Sequence, residues 1–315
     1  TRKESSAASD VYKRQVDLGL DDVKYNRHLL EPSTLFRLQK QFGYTKEDIY
    51  KYMTTLVAGK KDPIGAMGYD SPLAVLNERP ESLFNYFKQL FAQVTNPPID
   101  AYREKIVTSE LSYLGGEGNL LQPDPSVLNR IQLSKPVLTL SQLEKIKQSK
   151  FDVKHLSTLY RDSLEEALQR LGNAAIQATR EGYTILVLDD SSLLVDDVNA
   201  EAEDQRYAMP MLLAISHIHQ LLIREDLRMN ASLVALSGET REVHHVACLL
   251  GYGANAVIPY LGQQTIAHLA EDGHLKGTIS ENVETYTNVL SEGVIKVMAK
   301  MGISTVPVSY THLRA

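Results

Sequence analysis

The stretch YTILVLDD, residues 183–190, decides how this chain is to be read. Four aliphatic residues run without alternation into two acids. A strand with one wet face alternates apolar and polar residues, whereas one apolar on both faces belongs in a parallel sheet covered by helices. The text on either side has the same character. Upstream, PVLTL leads to SQLEKIKQ, and FDVKHLSTLY to SLEEALQRLGNAAIQATREG. Downstream come YAMPMLLAISHIHQLLIRED, NASLVALSG, ETREVHHVACLLGYG and ANAVIPY. Short apolar runs alternating with helical periods predict parallel β/α units. Four or five strands are too few for an eight-fold barrel. The expected fold class is α/β: a helical lead-in over residues 16–113, then parallel β/α units over 114–280 forming an open sheet or half (β/α) barrel.

The lead-in reads as helices and loops. In TKEDIYKYMTTLVAG, Thr45 is placed to cap a helix and Gly59 to stop it. RPESLFNYFKQLFAQV puts Leu83, Phe84, Phe87, Leu90 and Phe91 on one face of an expected helix. The prolines of FAQVTNPPID end it, because Pro97 and Pro98 have no N–H and fix φ. Asp100 is then placed to cap a further helix in AYREKIVTSELSYL. Thr95 and Asn96 therefore sit in a stiff elbow. The ends, residues 1–15 and 308–315, have no apolar periodicity and resemble translated adapter sequence, so they are expected to lie outside the fold.

Of the 315 residues 43% are hydrophobic and 23% charged, with a net charge of −6. No basic block accompanies that balance, so neither nucleic acid nor an anionic membrane surface is expected as a partner. No apolar run reaches the length of a membrane span, no leader is visible, and a cytoplasmic location is expected. Cys248 is the one cysteine, which leaves no material for an intrachain disulfide or a multi-cysteine metal site, and it reads as a packing residue.

Few residues carry chemistry by their spacing. GYGANA, residues 251–256, has the letters of a dinucleotide fingerprint in reversed context, with a helix before it and a strand after it, so it reads as a helix stop. His244 and His245 diverge on a helix, as do His217 and His219, and no carboxylate follows either pair at i+3 or i+4 to complete a metal set. No metal ligand and no catalytic residue is expected. The best local candidates are Asp189 and Asp190 at the end of one strand and Ser237 at the end of another, where α/β proteins place small ligands. Aspartate, serine and glycine are also what such turns use for their own geometry.

FNYFKQLFAQVTNPPIDAYREKIV followed by YLGGEGNLL, with DPIGAMGYDSPLAVLNERP upstream, resembles the central domain of the large subunit of glutamate synthase. The resemblance continues through ILVLDD, LLAISHIHQLLIRE, SGETREVHHVACLLGYGANAVIPYL and VIKVMAKMGIST, about residues 20–306 in all. It implies a piece of an enzyme that makes two glutamates from glutamine, 2-oxoglutarate and a reductant. Ammonia freed by a glutaminase domain would travel through an internal tunnel to an FMN domain. The parent would carry FMN and a 3Fe–4S cluster and take electrons from ferredoxin or an NAD(P)H-oxidising small subunit. This part would bind neither cofactor and would not act alone. Residues 281–307 would open the FMN domain. Met67, Thr95 and Asn96 would line the tunnel. Two departures stand out: Gly116 replaces a proline common in the family, and Asp189 and Ser191 replace a serine and an arginine, so that pair's chemistry is not carried over. Residues alone leave a second reading open: a free-standing α/β protein binding a small metabolite at Asp189, Asp190 and Ser237.

Overall fold

The computed structural model describes residues 15–63, 72–88, 97–118, 130–161, 163–195 and 206–306. Its centre is a four-stranded parallel sheet of β4 (Val153–Ser157), β6 (Ile185–Asp189), β8 (Ser232–Leu236) and β9 (Ala256–Ile258), in that order. A fifth extended segment, residues 136–138, lies in parallel along β9: Val257 donates to Pro136 and Leu138 donates to Val257. β8 is buried at every position and β6 at all but the last, the apolar-on-both-faces pattern expected of a covered parallel sheet. Each strand is followed by a helix: α4 (Leu140–Lys147), α5 (Leu164–Arg180), α6 (Met211–Arg224), α7 (Val243–Gly251) and α8 (Tyr260–Glu271). The expected α/β class, with parallel β/α units in an open sheet or half-barrel, is thus observed as a four-stranded parallel sheet with its helices.

Local chemistry sets the helix starts. Thr139 and Gln142 form a reciprocal capping box on α4, and Thr278 and Glu281 do the same on α9 (Ile279–Met301). Ser163 caps α5 through the Glu166 N–H. The GYGANA stretch is a helix stop: α7 ends at Gly251, Gly253 takes φ 111, and β9 begins at Ala256. Only glycine tolerates that φ, and a Cβ there would stand 2.3 Å from His219 Nδ1.

A small sheet of β1 (Gln15–Val16), β3 (Arg130–Leu133) and β2 (Ser112–Leu114) lies against the N-terminal ends of the parallel strands. Ser112 Oγ donates to the Asn255 carbonyl, and Ser232 Oγ on β8 donates to the Gly115 carbonyl. The ribbon of β5 (Leu159–Tyr160) and β7 (Tyr207–Ala208) sits beyond the other end of β4.

The lead-in differs from its sequence reading in three places. Thr45 does cap, exchanging bonds with Asp48, but the chain then runs through a π-helical turn (Asp48–Met53) into α2 (Thr54–Gly59). The left-handed stop falls on Lys60, at φ 50, and not on Gly59. The expected helix from Pro80 is a single 3₁₀ turn, Leu83–Phe87, with Lys88 extended. The reason is tertiary: the Phe84 carbonyl is taken by His244 Nε2 at 2.9 Å, so it does not serve an i+4 N–H. Residues 89–96 lie outside the described part. The helix expected after Asp100 is confined to α3 (Glu104–Val107), and the rest of AYREKIVTSELSYL turns extended to enter β2, which pairs antiparallel with β3.

Helix α9 packs along α8, α7 and α2, and it approaches α7 closely at Gly293, where a Cβ would stand 2.3 Å from Val243 Cγ2. Gly293→Ala is expected to lower unfolding stability by about 1–3 kcal/mol through overpacking. Adding Val243→Ala should return part of that loss, and urea unfolding of the single and double variants checks both.

Candidate functional site

The C-terminal ends of β6 and β8 lie side by side, with Asp189 in register with Leu236. The three residues singled out from sequence are thereby brought together. Asp189 is half-buried and accepts from the Ser191 N–H at 2.7 Å, and its other oxygen lies 2.8 Å from His155 Nδ1. Burial pushes its carboxyl up, but the His155 and Ser191 hydrogen bonds outweigh that and hold it below its ordinary value. Asp190 is fully buried. The Gly238 N–H reaches both its oxygens, at 2.9 and 3.2 Å, yet burial dominates and raises the carboxyl well above its ordinary value, with Asp189 and Glu239 adding to the rise. Ser237 is also fully buried, and its Oγ accepts from the Thr240 N–H at 3.3 Å within its own turn.

The mouth above these strand ends is filled by the lead-in. Tyr44, buried, donates its hydroxyl to the Gly238 carbonyl at 3.0 Å. Phe42 packs so closely that a Cβ on Gly238 would stand 2.5 Å from its ring. Arg241, in the same turn, binds α1 (Pro32–Gln41) and its exit: Nη1 donates to the Phe42 carbonyl and Nη2 to that of Gly43. Its guanidinium lies 3.3 Å from Asp48 and 4.7 Å from the centre of the Tyr44 ring.

Free N–H groups at the start of a helix such as α7 favour negative charge. The structure places the chain's own Glu242 there as N-cap residue. Burial pushes the Glu242 carboxyl up, but the hydrogen bond from His245 and the Lys88 and Arg241 charges bring it far below the usual carboxylate range. His245 Nε2 stands 3.1 Å from Glu242 and its ring stacks on Phe84 with centroids 4.3 Å apart. Lys88 Nζ stands 3.4 Å from the same Glu242 oxygen. Ser82 Oγ donates to Glu239 at 2.6 Å. The turn 237–245 is thus the hub that fastens residues 42–48 and 82–88 to the sheet.

Around this hub lies a cleft of about 610 Å³, bordered among others by Asp48, Glu81, Lys88, Tyr207, Glu239 and Arg241. Its charged groups are partnered within the chain, Glu81 by the side-chain amides of Asn77 and Asn85. Cys248 lies 3.7 Å from His244 Nε2, but burial pushes the thiol up to about 12 and the imidazole down, so the pair holds no thiolate at neutral pH. Among the described residues no group of three or more His, Cys, Asp or Glu is placed to hold a metal, and no helix is long and apolar enough to cross a membrane. Met67, Thr95 and Asn96 lie outside the described residues. Sequence reasoning missed Tyr44, His155, Arg241 and Glu242. Only the last two carried a signal, being charged residues in the turn that follows a buried strand.

Fold and site define an α/β module built on a parallel sheet whose strand ends are closed by its own lead-in. The chain belongs to the glutamate synthase central domain family, whose family model matches residues 37–314. It is 46% identical over 277 residues to the NADPH glutamate synthase large chain of Bacillus subtilis, covering 87% of this chain and 18% of that one. It is 38% identical over 288 residues to ferredoxin-dependent glutamate synthase 2 of Synechocystis, with coverage of 87% and 18%. To the NADH glutamate synthase of Schizosaccharomyces pombe it is 37% identical over 276 residues, with coverage of 84% and 13%. The chain therefore spans less than one fifth of the length of these relatives. Among solved structures, the flavin-binding domain of baker's yeast flavocytochrome b2 is similar at a TM-score of 0.38 and 16% identity, over 57% of this chain and 38% of that one, too loose a likeness to bear on function.

Two outcomes test the hub. Arg241→Lys keeps the charge opposite Asp48 but loses the fork that reaches two carbonyls, and is expected to cost about 1–3 kcal/mol in urea unfolding. Asp190 has a raised folded pKa, so its contribution is fully present below the unfolded value of 3.8 and is lost as pH rises through the folded value. Asp190→Asn, which cannot ionise, should raise the melting temperature relative to the parent at pH 8, with the gain shrinking toward pH 4.

Proposed function

We propose that this chain is the part of a glutamate synthase large chain that joins the glutaminase and FMN domains and helps wall the passage for ammonia between them. In such an enzyme glutamine is hydrolysed to glutamate and ammonia. The ammonia condenses with the keto group of 2-oxoglutarate, releasing water, and the imine takes two electrons and the required protons to become a second glutamate. The electrons come from ferredoxin or from an NAD(P)H-oxidising small subunit, and the enzyme works in the cytoplasm.

One observation carries the reading. The descending side of the TNPP elbow is tied to the place where the chain leaves α9: Ile99 N–H donates to the Ala299 carbonyl at 2.8 Å, and Ser109 N–H to the Ser304 carbonyl at 2.7 Å. The ascending side ends at Lys88, held by Glu242. The described flanks of that stretch, Lys88 and Ile99, are thus fixed at the hub and at the exit from α9, positions suited to a passage between neighbouring domains. The reading gives Met67, Thr95 and Asn96 the lining of that passage. Ammonia is neutral, so its conduit needs a narrow, water-poor bore with few polar groups. A hydroxyl such as that of Thr95 can donate or accept without bringing charge.

The residues here do not fit the two cofactors of the parent. A single half-buried cysteine cannot supply the thiolates of an iron–sulfur cluster. The mouth that would receive a flavin is filled by Phe42 and Tyr44, and the α7 terminus already carries the Glu242 carboxylate. Both cofactors are accordingly assigned to other parts of the polypeptide, and no chemical step is assigned to this chain.

Thr95→Val in the full-length enzyme is expected to raise the ratio of glutamine hydrolysed to 2-oxoglutarate consumed above unity, while glutaminase activity persists. Parallel assays of both substrates measure it, and an unchanged ratio removes Thr95 from the passage.

A further inference from the structure

Three residues at the start of α7 hold one short piece of the lead-in. Glu242 Oε1 lies 3.4 Å from Lys88 Nζ, His244 Nε2 donates to the Phe84 carbonyl at 2.9 Å, and the His245 ring stacks on that of Phe84. Val243, among them in sequence, packs on α9 at Gly293. The last turn of α9 in its turn holds the chain beyond Pro98, the Ala299 carbonyl accepting from the Ile99 N–H. The two flanks of residues 89–96, the stretch that ends in Thr95 and Asn96, are therefore gripped by two helices packed on each other.

The Glu242 carboxylate is spent on this grip. Glu242 is the N-cap residue of α7, yet its side chain accepts no helix N–H. The caps of α4, α5 and α9 do the opposite, each accepting from the N–H three residues on. The Glu242 carboxylate goes instead to Lys88 and to His245 Nε2, the latter at 3.1 Å. Its side chain is only 24% exposed, so this is no loose surface pair, and removing Lys88 leaves a largely buried carboxylate short of compensation. We propose that Glu242 and Lys88 are positioning residues of the ammonia passage: their ion pair fixes the point from which residues 89–96 set out. Neither touches ammonia; both act through the chain that lines its path. The proposal rests on the reading given under Proposed function.

The test uses the full-length enzyme carrying Lys88→Met, which keeps the aliphatic stem and loses the charge. Glutamine hydrolysed and 2-oxoglutarate consumed are measured in parallel, with the melting temperature. The ratio is expected to rise from unity to about two or more while glutamine turnover persists and the melting temperature stays close to the parent's. Lys88→Arg, which keeps the charge, is expected to hold the ratio at unity, and an equal rise in both variants overturns the proposal. Glu242→Gln should raise the ratio as Lys88→Met does, and the double variant no further than the worse of the two, because both break one contact. Additive rises mean that the residues act apart, and overturn the pairing. A ratio of unity in Lys88→Met also overturns it, as does a fall of both rates together, which marks a structural part only. Glu242→Gln decides the matter if Lys88→Met does not fold. Failure here is distinct from failure of the passage: excess hydrolysis in Thr95→Val beside a coupled Lys88→Met enzyme removes the ion pair and leaves the passage, whereas the reverse removes Thr95 alone.

Discussion

The Arg241 guanidinium is the constraint on which the arrangement depends. It joins two carbonyls at the exit of α1, the Asp48 carboxylate and the face of Tyr44, while its own carbonyl accepts from the buried Tyr286 hydroxyl on α9. Only a planar fork with several donors can serve carbonyls, a carboxylate and a ring from one position. With Arg241 in place, the turn after β8 faces the lead-in. Glu239 and Glu242 then meet Ser82 and Lys88, and His244 and His245 meet Phe84. The strand-end mouth, open in many α/β proteins, is closed here by the chain's own residues.

The same economy of polar groups runs through the core. α8 is buried along most of its length although it carries Gln263, Gln264 and Thr265. Gln263 bonds the Leu138 carbonyl and the Leu140 N–H, and so ties the fifth extended segment to the helix. Gln264 accepts from the Leu30 N–H and donates to the His28 carbonyl and the Tyr25 hydroxyl, while Gln39 donates to Thr265. Buried amides are tolerable only when so satisfied, and here they register the lead-in against the sheet. Asp190 meets the same demand by accepting from the Gly238 N–H at both oxygens.

Much of the parallel α/β unit was legible. β6 and β8 are apolar on both faces because helices cover both, and that pattern needs no knowledge of the neighbours. The caps of α4, α5 and α9 rest on side chains three residues from their targets, within reach of local reading. The lead-in was legible only in part. Phe84 and Phe87 have helical spacing, yet the carbonyl that would continue the helix bonds His244, 160 residues away in sequence. The strand-end trio was likewise found by position, but not its environment. Burial of Asp190 and Ser237 depends on Phe42 and Tyr44 arriving from another part of the chain, and the His155–Asp189 contact on two strands becoming neighbours.

By itself the sequence determined the class of fold, the family and the absence of thiolate or histidine sets for cofactor chemistry, because periodicity, composition and long shared motifs are properties of residues in order. Tertiary structure alone decided that the strand ends are closed, that Glu242 at the start of α7 is paired with Lys88, and that Ser109 is tied to the Ser304 carbonyl beyond α9. Each of those depends on groups distant in sequence meeting in space, where burial and hydrogen bonding change what a side chain is free to do.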